Sequence, residues 1–278
     1  MTIAPATPRK RKKPSEQAVH ITERDLTLLQ RLCRYGATTV PTLQHTVAAG
    51  KHRSGIYAQA ARLARVGLIE DLRTGPSNLC RPRNLPALLV PTREGYAVAG
   101  TGLAYARPSL ATLLHTLSVA QVGLDFEANG WEVITDRVVR HEIVAWRSER
   151  ERARKAKQPV PPVPAEAVWI ATERDSSAEV GGMLSGARGP RTHAPDLIVR
   201  DTDGRLVAVE VELTAKNAGD LREVMRAFAG TSKYTEVIYY TPERAIAEKV
   251  AKAAAVAGGR LDARMTARKF TPLYATTP

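Results

Sequence analysis

The residues from Pro195 to Lys216, Pro-Asp-Leu-Ile-Val-Arg-Asp-Thr-Asp-Gly-Arg-Leu-Val-Ala-Val-Glu-Val-Glu-Leu-Thr-Ala-Lys, constrain the fold more than any other stretch. Leu197 to Arg200 is short and apolar, Asp201-Thr202-Asp203-Gly204 is turn chemistry, and Arg205 to Leu213 is rich in valine. Two strands joined by a tight turn are expected. Side chains alternate faces along a strand, so Glu210 and Glu212 share one face while Val209, Val211 and Leu213 share the other. Folding back across Asp203-Gly204 sets Asp196, at the base of the first strand, near Glu210 and Glu212. Three carboxylates meeting at a sheet edge repel one another unless a hard divalent cation lies between them. The amine of Lys216 is within reach of that cluster. The competing reading makes Glu-Val-Glu the solvated face of an ordinary amphipathic strand; the flanking valines argue for a buried strand instead.

Composition narrows the partners. At 278 residues the chain can form two modest domains, each with its own core. Its formal net charge of +13 favours a polyanion, and nucleic acid before membrane, because no stretch is apolar enough to span or lie in a bilayer. The N-terminus lacks the apolar core of a secretory signal, which predicts a cytoplasmic protein. The two cysteines, Cys33 and Cys80, have no metal-ligand spacing, and Cys33 falls on an apolar helical face as a small core residue.

In chain order, residues 1–19 form a basic arm around Arg9-Lys10-Arg11-Lys12-Lys13, expected to be disordered and suited to DNA phosphates or equally to keeping the chain soluble. Residues 20–103 follow the pattern of a winged helix. Thr22 to Asp25 opens a helix with a capping box, Leu26, Leu29, Leu32 and Cys33 face inward, and Gly36 ends it. A second helix spans about 40–48 with Leu43 and Val47 inward, and a third about 54–66 on the stripe Ile56, Ala60, Leu63 and Ala64. A strand near 68–73, an Arg- and Pro-containing loop and a second strand near 88–92 complete the pattern. In the DNA-binding version of this arrangement the third helix enters the major groove and the wing touches the backbone. Tyr57, Gln59, Arg62 and Arg65 then become candidates for DNA contact from that helix, and Lys51, Arg53, Arg81 and Arg83 for phosphates.

Residues 100–108 read as a hinge. A second domain, 109–274, opens with an amphipathic helix over 109–129 that carries Leu113, Leu117, Ala120 and Leu124, then a strand over 131–137. A loop-rich insertion occupies about 147–191; its charged run 147–157 could extend a helix, and Trp169 falls in a short strand or acts as an anchor. After Lys216 the pattern is helix (218–229), strand (236–240) and helix (242–257). The fold class expected is α/β, or α+β over the whole chain.

Pro195-Asp196, thirteen residues, Glu210-Val211-Glu212 and then Lys216 resemble the core of PD-(D/E)XK nucleases. That resemblance implies that Asp196 and Glu210 hold magnesium, with manganese as a substitute, and that Lys216 orients or activates water, with Glu212 assisting. Where that core carries lysine two positions after the glutamate, this chain has Glu212. Some members place another acidic ligand on the first helix, a place open here to Asp125 or Glu127, with His115 as a further candidate. Together with the winged helix, His115-Thr116-Leu117-Ser118-Val119 and Val207 to Lys216 resemble the replication-relaxation family of actinobacterial plasmids, integrative elements and phages. The resemblance implies a role in replication or mobilisation of such an element.

Three functions remain open to the sequence: a DNA-binding protein with a metal-dependent endonuclease or nickase domain, a non-catalytic winged-helix regulator or replication accessory, and an adaptor for other replication or transfer proteins. Double-stranded DNA is the expected partner of the first two. A homodimer is compatible with all three and leaves no mark in the residues. No nucleophile pairs with a base in a recognisable elbow. Gly181-Gly182 and Gly258-Gly259 lack the Lys-Ser/Thr that a phosphate-binding loop requires, which argues against ATP-driven chemistry.

Overall fold

The computed structural model describes residues 20–47, 53–71, 86–162, 168–170, 191–258 and 261–275, and they form a mixed α/β structure. The arm at 1–19, Lys51, Cys80, Arg81 and Arg83 lie outside the described residues. Helix α1 (Glu23–Tyr35) starts from the expected capping box: Thr22 Oγ accepts from the Asp25 N–H while the Asp25 carboxylate accepts from the Thr22 N–H. Leu28, Leu29, Leu32 and Cys33 make its buried stripe. Leu26, expected inward, is only partly covered, because Leu28 lies closer to the centre of the face that Leu32 and Tyr35 define. Burial pushes the Cys33 thiol up to about 12. Gly36 closes the helix at φ 85°, a conformation open to glycine at no steric cost.

Strand β1 (Thr38–Thr39) leads into α2 (Val40–Thr46), which buries Leu43. Val47, expected inward, is instead 38% exposed, since the helix has already ended at Thr46. Helix α3 (Arg53–Arg65) buries Ile56, Ala60 and Leu63 as its stripe requires. Strands β2 (Ile69–Asp71) and β3 (Leu88–Pro91) pair antiparallel, and β1 takes the other edge of β3. Helix α4 (Arg93–Ala99) then packs beneath them. Gly95 sits so close to β2 that a Cβ there would lie 2.1 Å from the Leu68 carbonyl oxygen.

Helix α5 (Leu110–Ala128) begins at a second capping box, built on Ser109, and leads to β4 (Glu132–Thr135). The strand expected to reach residue 137 stops at Thr135, and Asp136 opens the twenty-residue α6 (Asp136–Lys155). The first part of the expected loop-rich insertion is therefore helix. Its buried residues, Val139, Ile143, Trp146 and Ala153, stand among charged neighbours, so the apolar stripe is thin. Strands β5 (Val168–Ile170), which contains Trp169, and β6 (Arg191–His193) pair antiparallel.

The central hairpin is β7 (Leu197–Arg200) and β8 (Leu206–Val211). Helix α7 (Ala218–Ala229), β9 (Glu236–Thr241), α8 (Arg244–Ala257), α9 (Leu261–Arg264) and β10 (Met265–Lys269) follow. The five strands lie in the order β10-β9-β8-β7-β4. Strands β4, β7 and β8 run antiparallel, whereas β8, β9 and β10 run parallel, which is why α7 and α8 are needed as crossovers.

Alternation along the strands feeds two cores. Leu197, Val199, Val207, Val209 and Val211 pack with α5 and, continuously, with Leu28, Leu29 and Leu32 of α1. Ile198, Ala208, Val237 and Tyr239 face Met225 and Phe228 of α7 and Val250 of α8. The N-terminal helices and the sheet thus share one core, and Glu127 of α5 locks it by accepting from Arg31 Nε (3.0 Å), Arg34 Nη1 (3.1 Å) and Tyr35 Oη (2.8 Å). Among the described residues no helix is long and apolar enough to cross a membrane.

Candidate functional site: a buried carboxylate cluster

The hairpin turn is self-supporting. The Asp201 carboxylate accepts from the N–H groups of Asp203 and Arg205, both at 2.9 Å, and Gly204 supplies φ 79°. This fixes the register Leu197↔Val209, so Asp196 stands one step further along, level with Glu210. Asp196 Oδ2 accepts from the Val211 N–H at 2.8 Å, which places the carboxylate at the strand segment that bears Glu210 and Glu212. On the other side β9 is bound in parallel, with Glu210 opposite Tyr239 and the Glu212 N–H donating to the Tyr240 carbonyl at 2.8 Å. Glu210 is 1% exposed and Glu212 7%, so the solvated-face reading of Glu-Val-Glu does not hold.

Each acid has a basic neighbour. The His193 imidazole lies 2.6 Å from Glu210 Oε1, and the His115 imidazole lies 3.1 Å from Asp196 Oδ1. Lys216 Nζ approaches Glu212 Oε2 to 2.7 Å and Glu210 Oε2 to 3.8 Å. The shorter of these is an ion pair rather than an aligned hydrogen bond.

The electrostatics follow from burial and these pairings. Burial alone pushes the Asp196 carboxyl up, but His115, the Val211 N–H and Lys216 outweigh it and hold the group below the usual carboxylate range. Burial works to lower both imidazoles; the Asp196 carboxylate beside His115 and the Glu210 carboxylate beside His193 raise them above their ordinary value instead. Glu212 is raised, chiefly by burial, which Lys216 only partly offsets. Lys216 is held above its ordinary value against burial by Glu210, Glu212 and Asp196. The cluster is therefore two buried acids and one partly buried acid balanced by two imidazoles and one ammonium.

The donor chemistry suits a hard divalent cation in a limited way. Among the described residues no three of His, Cys, Asp and Glu stand together as a metal-holding group. Asp196 and Glu210 together offer carboxylate oxygens, and Glu210 Oε2 faces only the Lys216 ammonium beyond hydrogen-bond distance. Two carboxylates with the remaining positions filled by water is a set that magnesium accepts.

Of the residues expected at this site, Asp196, Glu210, Glu212 and Lys216 come together. Asp125 and Glu127 do not join them. Glu127 is held by α1, twelve residues and about 18 Å along the helix from His115, and the Asp125 carboxyl is raised by burial, partly offset by His45 rather than by any group of the cluster. The residues that the sequence did not assign to the cluster are His193, positioned by β6, and Tyr239, positioned by β9. A lone His before a strand and a Tyr within an apolar run carry no pattern of their own. His115 was named only as an alternative. It also lines a cleft between the end of α1, the 101–109 segment and the first turns of α5 and α6, with Arg107 and Arg137 in the wall.

The expected DNA-contact residues divide differently. Gln59 donates to the Arg24 carbonyl at 2.8 Å, and Arg62 pairs with the fully buried Asp25, so both are tied to α1. Tyr57 is half-buried against the core, Arg65 is exposed in the last turn of α3, and Arg53 opens that helix. Neither a protein-family model, nor a curated protein, nor a solved structure matches the chain.

Proposed function

We propose that the protein binds double-stranded DNA and that its five-stranded sheet carries a divalent-cation-dependent nuclease site. In this reading α1 to β3 form a winged helix, and α5 onward forms a PD-(D/E)XK-like domain of the replication-relaxation kind, serving replication or mobilisation of a plasmid or other mobile element. One observation carries it. A chain of net charge +13 buries Glu210 and Glu212 beside Lys216 at the end of its central hairpin and sets the partly buried Asp196 level with Glu210. Burying ionised groups costs stability that an apolar hairpin would not lose, and such clusters concentrate where chemistry is done. The order α5-β4-β7-β8-α7-β9, helix, three strands, helix, strand, supports the nuclease-like domain, and three helices followed by an antiparallel strand pair support the winged helix.

Asp196 and Glu210 would hold magnesium, or manganese in its place. When bound, the cation would supply Lewis-acid charge and a water of lowered pKa. His115 and the Val211 N–H occupy one lone pair on each Asp196 oxygen, which fixes the carboxylate's plane. Lys216, held between Glu212 and Glu210, orients the attacking water and faces the charge that develops on the phosphoryl oxygens. Arg65 and Tyr57 of α3 meet the duplex directly, whereas Arg62 and Gln59 hold α3 at its angle to α1.

A second reading is favoured by two features: Glu212 stands where this kind of nuclease carries lysine, and His193 already holds Glu210 at 2.6 Å. The sheet is then a non-catalytic surface of a regulator, replication accessory or adaptor. Anisotropy of a labelled duplex, titrated across salt with and without magnesium, separates these. Salt-dependent binding with shortened products in magnesium supports the nuclease. Binding without products supports the regulator, and no binding leaves the adaptor.

A further inference from the structure

Among the described residues, Tyr239 is the side chain at the cluster whose polar atom has neither a hydrogen bond nor an ion pair. It lies in β9 directly opposite Glu210 of β8, in a parallel pair, so the two side chains leave the sheet on the same face. The residue is 0% exposed, and its hydroxyl has no hydrogen-bond partner among the described residues. Of the charged groups, Glu210 acts on it most strongly, followed by Glu212 and Asp196. A buried hydroxyl without a partner loses its hydration and gains nothing in exchange, so phenylalanine would serve the core better. Tyr234 and Phe228, which share that core, show that the space accepts aromatic rings of either kind.

A cation at Asp196 and Glu210 changes the demand on Glu210. At present Glu210 Oε1 is engaged by His193 at 2.6 Å, and Oε2 has the Lys216 ammonium at 3.8 Å. A carboxylate that turns toward a metal ion leaves such partners, and ligating carboxylates are in turn hydrogen-bonded by an outer group that fixes their orientation. Tyr239 is the donor placed for this: on the neighbouring strand, on the same face, within electrostatic reach of all three acids, and uncommitted among the described residues.

We propose that Tyr239 is a positioning residue for the cation site, its hydroxyl donating to the Glu210 carboxylate in the cation-loaded protein. The inference rests on the nuclease reading above, and it assigns to Tyr239 a role in cation affinity rather than in the chemical step.

The test is manganese binding to the full chain, followed by electron paramagnetic resonance, for wild type, Tyr239→Phe, Asp196→Ala and Glu210→Ala. Thermal unfolding is measured on the same samples with and without manganese. Tyr239→Phe should bind manganese 10- to 100-fold more weakly than wild type. Without metal it should melt at the wild-type temperature or above, because it loses only an unpartnered hydroxyl. In plasmid cleavage its half-maximal manganese concentration should rise by the same factor, with the rate at saturating manganese near wild type. Equal manganese affinity in Tyr239→Phe and wild type, with both alanine variants impaired, would overturn the proposal and leave the nuclease reading intact. Wild type without saturable manganese binding would overturn that reading and this inference with it.

Discussion

Arg62 was a candidate for DNA, yet it leans from α3 onto the first turn of α1, and Arg62→Ala should act first on stability. Its partner Asp25 is fully buried and also accepts from the Thr22 N–H at 3.0 Å and the Thr22 hydroxyl at 2.8 Å. Without Arg62 the carboxylate stays buried with the Thr22 donors alone. Removing one partner of a buried pair costs about 3–5 kcal/mol. Because both Thr22 donors remain and the Arg62 side chain is 38% exposed, so that the pair is partly screened, the expected loss is about 2–3 kcal/mol. In urea unfolding, with a slope of about 2–3 kcal/mol/M, the midpoint should fall by about 1 M. A second check is pH. Burial pushes the Asp25 carboxyl up, but Arg62 and Thr22 outweigh it and hold it below its ordinary value. A depressed carboxyl stabilises the fold above its unfolded pKa of about 4 and loses that contribution as pH falls through the folded value. The gap between wild type and variant should therefore be widest at neutral pH and close in acid. A stability loss under about 0.5 kcal/mol, with duplex affinity lowered and the salt slope reduced by about one, would refute the reasoning and return Arg62 to the DNA.

Glu127→Ala should cost about 2 kcal/mol and speed protease cleavage in the 101–109 connector, because Arg31, Arg34 and Tyr35 lose their shared acceptor; wild-type proteolysis would count against the shared core. Gly95→Ala drives a methyl into the Leu68 carbonyl and should lower stability by about 1–3 kcal/mol in calorimetry, and an unchanged melting temperature would contradict that packing. The raised imidazoles of His115 and His193 contribute stability that is full below about 6.5 and is lost as pH rises through their folded values. The cation-free protein should accordingly melt lower at pH 9 than at pH 6, with the slope flattened in His193→Gln; a slope of the other sign would undo the pairing with Glu210.

The elements with strong local chemistry could be read from the residues. The capping box at Thr22 and the Asp201–Gly204 turn carry their own start or stop signals and stand where expected, and α5 and α7 begin within one residue of where their patterns start. Helix α6 was obscured because its stripe of four buried residues is diluted by charge, and the edge strand β10 because Met265 and Ala267 are the only apolar residues among its five. In the cluster, Asp196 and Glu210 were legible because a two-residue pleat and a short turn fix which residues face each other. His193 and Tyr239 reach the same place through strands paired from far along the chain, β6 onto β5 and β9 onto β8, and local periodicity carries no trace of such pairings. Gln59 and Arg62 illustrate the converse. Polar residues on the outer stripe of a helix look free in a sequence, and here a neighbouring helix has taken them.

The most direct measurement is cleavage of supercoiled plasmid by the full chain in magnesium and in manganese, with Asp196→Ala and Glu210→Ala beside wild type and duplex binding measured on the same preparations. The account predicts nicked or linear product from wild type, none from either variant, and similar binding by all three. Intact plasmid with wild type at saturating binding would contradict it, and product that survives both substitutions would place any cleavage outside the Asp196–Glu210 cluster.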